Sequence, residues 1–369
     1  MTRTPQLIKQ NAYNFESHTV TTPDGYILTL FRIPPEENDY RKNKQPVFLQ
    51  HGTFVDSANW ADIGNRSLAF NLADQGYDVW LGNFRGTRYS RRHKTLQPSD
   101  FKFWTFNLDD VAVNDIRTSL AAVARITGKR GSTIFIGHSL ATIFIFMYAS
   151  EYPEEAENLL KGAVAISPIV YLDLAYYIIP LAKSLPLITY DLNLFLKFQF
   201  QKILLAIKIS SVFYHMEGII KFLQYFCTLA PHVCKILTDV IYGKSYQFLP
   251  EDLLAFFSYF PTTTSLMVAD HVAQLYNSGR FQKFDYGEDV NLKKYNKKKP
   301  PVYKLRKVKF PSVKRLFDEL GSREKDMKVI PKDSIKAEDQ FNHMDFLLAK
   351  DLHEFFYVDL FKDLTEKFA

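Results

Sequence analysis

The chain has 369 residues, of which 47% are hydrophobic, and its formal net charge is +6. This length and composition allow a large buried core, so one α/β domain with an insertion is favoured over several small domains. The lysine-rich stretches 293–299 and 304–309 are typical of solvated loops, and no recognition motif for nucleic acid accompanies them. Met1 to Gln10 lacks the apolar core of a secretion signal, and no run of 18 apolar residues predicts a membrane span.

The first elements in chain order predict a sheet that is mostly parallel. His18 to Thr22 and Tyr26 to Arg32 flank Pro23-Asp24-Gly25, which is typical of a β-hairpin at the edge of a larger sheet. Further strands are predicted at 46–50, 77–81, 132–136 and 162–166, with helices at 65–73 and 104–127. Strands that alternate with helices at this spacing indicate a parallel sheet with helices on both faces.

The stretch from Ser132 to Phe144 contains the sequence Gly137-His138-Ser139-Leu140-Ala141. A β-branched run precedes it and an apolar helical run follows, so strand, sharp turn and helix are predicted around a Gly-x-Ser-x-small pentapeptide. This arrangement is typical of a nucleophile elbow. Ser139 is therefore the candidate nucleophile, and the backbone N–H of Leu140 is a candidate donor for an oxyanion. The alternative is a buried serine at the end of a strand.

The strand at 46–50 ends in His51-Gly52-Thr53, which points to a second oxyanion donor. Gly52 lets the backbone approach a reacting group closely, and the backbone N–H of Thr53 would then complete the oxyanion hole with that of Leu140. An ordinary strand-ending turn is the alternative. The carboxyl ends of parallel strands meet at one edge of a sheet, so we expect Gly52 and Ser139 to lie close together.

From Tyr171 to Phe260 the chain is dense in Leu, Ile, Phe and Tyr, which predicts a helical insertion above the carboxyl edge of the sheet. We expect three parts: a first core part at 1–170, a helical cap at 171–261 and a second core part at 262–369. Single apolar stripes in the cap are more typical of core packing, but a whole apolar cap over a nucleophile would exclude water. Cys227 and Cys234 lie in this cap, permit one local bridge and match no common zinc spacing.

The last part of the chain contains the candidate general base. Helices are predicted at 262–276 and 351–368, a charged loop at 284–301, and a short strand at 327–330. His343 lies in the loop that follows this last strand, where the base of a serine hydrolase of this architecture belongs. The chain order, serine before histidine, agrees with that role. Because the chain has nine histidines, a structural role is the alternative.

These residues resemble the acid lipase family, which includes gastric lipase, lysosomal acid lipase and many insect lipases. The resemblance covers most of the chain from Tyr13 and rests on the runs 50–52, 65–86, 103–104 and 342–346. It implies an α/β-hydrolase fold with a helical cap, and hydrolysis of triacylglycerol or sterol esters at a lipid–water interface. It assigns Ser139 as nucleophile and His343 as base, and it implies a cap disulfide between Cys227 and Cys234. No cofactor or metal is expected, and a secreted or lysosomal location is implied.

The chain departs from the family pattern in two places. Leu140 and Ala141 replace the Gln and Gly of the family's elbow, although the Leu140 N–H is backbone and is kept. Near Val313 the sequence passes directly into a helical pattern, so one sheet strand and the loop carrying the triad's aspartate are predicted to be missing. Asp318 and Glu319 are weak candidates for that acid. Loss of the acid typically costs about 10⁴-fold in turnover.

Two other functions remain open from the sequence. One is a non-catalytic or impaired lipid-binding member that retains the cap but lacks the triad aspartate. The other is a hydrolase of the same fold that acts on peptides or thioesters, which the apolar cap disfavours. Asn65-Arg66-Ser67 is in addition a sequon for N-glycosylation, a weak signal on its own.

Overall fold

The computed structural model describes residues 4–35, 45–170, 211–212, 214, 217–305, 326, 328 and 341–368. Several predictions fall outside these residues: the first part of the cap at 171–210, the missing strand near Val313, and the candidate acids Asp318 and Glu319. The strand predicted at 327–330 also lies outside them, apart from position 328. The boundaries of the three parts of the chain stay predictions.

A seven-stranded sheet forms the centre of the described chain. Its strands are β1 (Glu16–Thr21), β2 (Tyr26–Ile33), β3 (Pro46–Gln50), β4 (Asp78–Gly82), β5 (Arg92–His93), β6 (Thr133–His138) and β7 (Leu160–Ile166). The order is β1-β2-β4-β3-β6-β7, and β5 pairs with β2. Strands β4, β3, β6 and β7 are parallel, whereas β1 and β2 form an antiparallel hairpin at one end. The predicted edge hairpin and the mostly parallel sheet are therefore confirmed.

The sheet is buried on both faces because its central strands are apolar at nearly every position. Phe48 of β3 and Phe135 of β6 belong to the hydrophobic core on one face, and their neighbours Leu49 and Ile136 belong to the core on the other. Side chains of a strand alternate between faces, so a continuous apolar run can serve two cores at once. Register across this centre pairs Phe48 with Phe135 and Gln50 with Gly137, which aligns the carboxyl ends of β3 and β6.

Helices cover both faces of the sheet. They are α1 (Thr4–Gln10), α2 (Leu68–Asp74), α3 (Leu108–Asp110), α4 (Arg117–Thr127), α5 (Leu140–Glu151), α6 (Pro153–Leu159), α7 (Glu217–Leu229), α8 (Pro231–Tyr242), α9 (Pro250–Phe257), α10 (Leu266–Ser278), α11 (Glu288–Tyr295), α12 (Asp345–Leu348) and α13 (Val358–Phe368). A π-helical segment, Val111–Ile116, joins α3 to α4, and a second, His353–Tyr357, precedes α13. Short 3₁₀ turns occur at Ser57–Trp60, Gly64–Arg66 and Phe101–Trp104.

Three predicted boundaries are corrected by the structure. The helix predicted from Trp104 begins at Leu108, because the side chain of Asn107 accepts hydrogen bonds from the N–H groups of Asp109 and Asp110 and so caps the first turn. The helix predicted from Thr262 begins at Leu266, where Ser265 is the cap. The helix predicted from Asn65 begins at Leu68, after a 3₁₀ turn.

The charged loop predicted at 284–301 contains helix α11. Its first turn carries Glu288 and Asp289, and its last turn carries Lys293 and Lys294. These charges complement the helix dipole, with acids at the amino end and bases at the carboxyl end. The prediction of a loop was wrong for this part of the segment, because it rested on the number of charged residues and not on their order along the chain.

Helices α7, α8 and α9 make up the described part of the predicted cap and pack on one another. A disulfide joins Cys227 near the end of α7 to Cys234 in α8. The segment before these helices contributes a two-residue strand, β8 (Ser211–Val212), which pairs with β9 (Thr264–Ser265). Arg66 donates hydrogen bonds to the buried carboxylate of Asp252 in α9, which ties the cap to the core.

Candidate active site

The turn between β6 and α5 holds Ser139 in an unusual backbone conformation. Its φ is +55° and its ψ is −118°. A residue other than glycine in this region costs on the order of 1–3 kcal/mol and persists only where its surroundings impose it. The Ser139 N–H donates to the carbonyl oxygen of Ile166 in β7 at 3.0 Å, and the Thr142 hydroxyl donates to the Ser139 carbonyl oxygen at 2.6 Å. These bonds fix the turn from the neighbouring strand and from the following helix.

The tight turn depends on the small size of Gly137. A β-carbon at Gly137 would lie 2.7 Å from the ring of Phe135 and 3.2 Å from the β-carbon of Ala141. Position 141 therefore accommodates a methyl group because position 137 has none. The replacement of glycine by Ala141 leaves the turn intact.

The structure brings the two predicted reacting side chains together. The Nε2 atom of His343 lies 2.8 Å from the Oγ atom of Ser139, although 204 residues separate them in the chain. This distance is that of a good hydrogen bond, in which the serine hydroxyl donates to a neutral imidazole. Both residues lie at the carboxyl edge of the sheet, where the strand order predicted a site.

The imidazole of His343 is held in its neutral form. Burial and, to a smaller extent, the neighbouring imidazole of His138 together lower its pKa from 6.5 to about 3. Burial disfavours the charged form because an imidazolium loses its hydration in the protein interior. A neutral imidazole can accept the proton of Ser139 over a wide range of pH.

Gly52 brings the chain after β3 against the serine. A β-carbon at Gly52 would lie 3.0 Å from the Ser139 β-carbon and 3.2 Å from the carbonyl oxygen of His138. The loop is fixed at the next residues, where the Thr262 N–H donates to the carbonyl oxygen of Phe54 at 2.7 Å. Thr53 thus follows a close approach to Ser139, and Leu140 is the first residue of α5. Of the two predicted oxyanion donors, Leu140 thus lies in the elbow itself and Thr53 follows the residue that approaches it.

Residues 341–345, which we name the base loop, carry His343. The Asn342 side chain accepts hydrogen bonds from the N–H groups of Met344 and Asp345 and donates to the Gly243 carbonyl oxygen at 2.6 Å. The Asp345 carboxylate accepts from the Ser245 hydroxyl at 2.6 Å and from the Asn342 N–H. The base loop is therefore anchored to the segment that follows helix α8.

Two aromatic rings flank the His343 imidazole, and neither was singled out from the sequence. The Tyr242 ring stacks on it with centroids 6.0 Å apart and planes 8° apart, and the His138 ring lies at 4.9 Å and 47°. His138 lies within the elbow pentapeptide, but that motif does not indicate that its ring contacts His343. Tyr242 lies in a helix of ordinary amphipathic sequence, and no sequence signal distinguishes it.

Neither a cluster of metal-ligand side chains nor a membrane-spanning helix is found among the described residues. Within the ranges given above, no three side chains of His, Cys, Asp and Glu are grouped so that they could hold a metal ion. Of the helices the structure describes, none combines the length and the apolar character needed to cross a bilayer. The arrangement places a serine hydroxyl within hydrogen-bond distance of a neutral imidazole, a pair of the kind that acyl transfer uses.

Comparison with known proteins gives two matching family models. The model described as a partial alpha/beta-hydrolase lipase region matches residues 4–64, and the model described as an alpha/beta hydrolase fold matches residues 45–288. The second match covers more than half of the chain and includes the whole sequence from β3 to the start of α11.

Named relatives match from 83% to 98% of the chain. Lipase member K of Mus musculus is 33% identical over 98% of this chain and 90% of its own length. Gastric triacylglycerol lipase of Homo sapiens is 30% identical, with the same two coverages of 98% and 90%. Lysosomal acid lipase/cholesteryl ester hydrolase of Macaca fascicularis is 33% identical over 83% of this chain and 75% of its own.

Proposed function

The chain belongs to the acid lipase family of α/β-hydrolases, and on that premise we propose that it hydrolyses lipid esters through Ser139 and His343. The substrate class is triacylglycerol or sterol ester, presented at a lipid–water interface. The observation that carries the proposal is the 2.8 Å separation between the Ser139 hydroxyl and the His343 imidazole. The strained backbone of Ser139 supports it, because strain of this kind persists where function requires it.

The reaction proceeds in two acyl-transfer steps. Ser139 Oγ attacks the ester carbonyl carbon while its proton passes to His343 Nε2, and the N–H groups of Thr53 and Leu140 hold the resulting oxyanion. The intermediate collapses, the alcohol leaves with the proton from His343, and the acyl group stays on Ser139. Water then attacks the acyl carbon, loses its proton to His343, and releases the fatty acid as the proton returns to Ser139.

Proton transfer from the serine to His343 forms a buried imidazolium, which is costly. The burial that keeps His343 neutral also disfavours the imidazolium that each step forms. A triad acid normally offsets this cost, and its loss lowers turnover by about 10⁴-fold. Asp318 and Glu319, the candidates for that acid, lie outside the described residues. We propose that hydrolysis of the acyl-enzyme is slower than its formation.

An active-site titration tests this proposal. We expect a burst of p-nitrophenol from a medium-chain ester, with an amplitude close to one per chain, and covalent labelling by a fluorophosphonate. Ser139→Ala should abolish both. Ser132→Ala, at the residue just before the other end of β6, is the matched control and should keep both. Folded protein that binds lipid but gives neither burst nor label would overturn the proposal in favour of a lipid-binding role.

We also propose that the protein functions in the secretory pathway or the lysosome. The Cys227–Cys234 disulfide supports this, because such bonds persist in oxidising compartments. The sequon residue Asn65 is exposed, as a glycan requires. Expression in a eukaryotic cell should give protein whose mobility shifts on treatment with a glycosidase, and Asn65→Gln should remove the part of the shift due to that site. A reduced, unglycosylated protein confined to the cytosol would contradict this location.

A further inference from the structure

His138, the residue before the candidate nucleophile, makes a hydrogen bond to the backbone of the candidate base. Its Nε2 atom lies 2.9 Å from the carbonyl oxygen of His343. A carbonyl oxygen only accepts hydrogen bonds, so the Nε2 atom of His138 carries the hydrogen and donates it. The contact joins residues 205 positions apart and connects the carboxyl end of β6 to the base loop.

The His138 ring is poorly explained as a packing residue. It is only 2% exposed, and its other nitrogen, Nδ1, has no hydrogen-bond partner among the described residues. Burying a polar atom without a partner costs about 1–3 kcal/mol, which an apolar side chain of similar size would avoid. Burial lowers the pKa of His138 to about 4, so the ring is neutral above that pH and remains a single-hydrogen donor. Its one described hydrogen bond is the bond to His343.

The position of this donor links the base to the nucleophile through a single rigid element. His138 and Ser139 are consecutive residues at the end of β6, which is buried at every position and paired with β3 and β7. Apart from the Ser139–His343 bond, the other described long-range bonds to the base loop involve the last residue of α8 and the segment after it. The His343 N–H donates to the Tyr242 carbonyl oxygen at 3.4 Å, the Asn342 side chain donates to the Gly243 carbonyl oxygen, and the Ser245 hydroxyl donates to Asp345. His138 therefore holds the base loop from the strand that carries the serine.

We infer that His138 is a positioning residue, which fixes the main chain of His343 so that its imidazole stays within reach of the Ser139 hydroxyl. This inference rests on the proposed function. A displacement of about 1 Å between reacting groups lowers rates by about 100-fold, so a bond that fixes the base loop has a measurable effect on turnover. It has little effect on substrate affinity, because the His138 side chain is buried.

Three substitutions distinguish the effect of the lost hydrogen-bond donor from the effect of a changed side-chain volume. His138→Phe keeps the ring volume and removes the donor, and His138→Asn keeps an amide that is too short to reach the carbonyl oxygen. His138→Gln places an amide N–H near the position of the imidazole Nε2. We expect kcat per titrated active site to fall by about 10- to 100-fold in the Phe and Asn variants, with KM within about twofold, and to recover by at least fivefold in the Gln variant. His353→Gln, an exposed histidine, is the control and should change neither.

A second readout does not require turnover. In protein labelled with ¹⁵N-histidine, the imidazole shifts should show His138 as the Nε2–H tautomer. In His138→Phe the pKa of His343 should rise, because the smaller of the two causes that lower it is removed while burial remains. Fluorophosphonate labelling of the parent reports independently on the proposed function. An unreactive parent would overturn that function, while the tautomer would still decide the inference.

Two results would overturn the inference. One is a His138→Phe variant with parental kcat per site and an unchanged His343 titration. The other is a His138 ring found as the Nδ1–H tautomer, which cannot donate from Nε2. A general loss of folded protein in the Phe variant would lower the number of titratable sites but would leave kcat per site unchanged, so this outcome also counts against a positioning role.

Discussion

Gly52 and Ser139 approach so closely that a β-carbon on the glycine would lie 3.0 Å from the β-carbon of the serine. Few real β-carbon contacts are this short, so any side chain at position 52 must displace the elbow or the loop after β3. The same β-carbon would lie 3.4 Å from Nδ1 of His138. The glycine is thus needed for the distance between the serine and the expected oxyanion donor.

Gly52→Ala should lower kcat by about 10- to 100-fold. Removal of one oxyanion donor costs about 100- to 1000-fold, and displacement of the donor is a partial loss of the same interaction. Stability should change by less than about 2 kcal/mol, because a shift of a few tenths of an ångström relieves the contact. Kinetics on a soluble p-nitrophenyl ester and urea unfolding measure the two effects. Gly218→Ala is the control, because a β-carbon there meets nothing within 4 Å. Equal kcat in both variants would contradict the assignment of this loop to the oxyanion hole.

The pH dependence of kcat/KM should show a base that stays neutral in mild acid. The folded pKa of His343 is lowered to about 3, so its base form is depleted only as the pH falls toward that value. Activity on a soluble ester should fall by less than twofold between pH 7 and pH 5. An ordinary histidine of pKa 6.5 would lose about 25-fold over that interval. Circular dichroism at each pH checks that the protein remains folded, and an acid limb centred near 6.5 would show that His343 is not the base or is not buried.

Removal of the cap disulfide should destabilise the α7–α8 pair. The bridge closes a loop with a sequence separation of 7, for which the chain-entropy relation gives about 2–3 kcal/mol. The double variant with Cys227→Ser and Cys234→Ser should therefore show a lower Tm and faster proteolysis between the two helices. Dithiothreitol should produce the same change in the parent and none in the variant. A parent that is insensitive to reductant and a variant of unchanged Tm would show that the bridge contributes nothing to stability.

Asp62 should make stability depend on pH between about 4 and 7. Burial raises its pKa to about 7, and its carboxylate accepts a hydrogen bond from the hydroxyl of Tyr259. A free aspartate has a pKa near 3.9, so over this interval the folded chain keeps a proton that the unfolded chain releases. The parent then loses stability from this group as the pH rises, and the loss levels off above pH 7.

Asp62→Asn removes this titration, so its stability relative to the parent should rise from pH 4 to pH 7 and then level off. Urea unfolding at several pH values measures the difference. Asp74→Asn is the matched control, because Asp74 also accepts from a tyrosine hydroxyl, that of Tyr13, but at the exposed surface. A difference for Asp62→Asn that is flat across this pH range would refute the raised pKa.

Much of the fold could be predicted because local patterns determine it. The hairpin around Gly25 and the elbow around Ser139 each have short sequences with a steric reason for their geometry, and the structure shows both. Helix starts were less predictable. The start at Leu108 depends on a cap at Asn107 inside a longer periodic pattern, and periodicity alone does not show where a cap interrupts it.

The sequence predicted the two candidate reacting residues of the site, but not the contacts that hold them in position. Ser139 and His343 follow from motif and chain order, but their catalytic roles stay predictions. The bond from His138 to the His343 carbonyl oxygen depends on which of many backbone oxygens approaches within 2.9 Å, and no pattern in one sequence specifies that distance. The same holds for Asp62 and Tyr259, which are 197 positions apart.

The base loop is hydrogen-bonded to Tyr242, Gly243 and Ser245, and these bonds affect how chimaeras between relatives would behave. These three residues fall within the predicted cap at 171–261, yet their described bonds go to the base loop. Grafting a foreign cap would therefore change the rate of proton transfer together with chain-length selectivity. An exchange that ends before residue 242 would keep these contacts native and would separate the two traits.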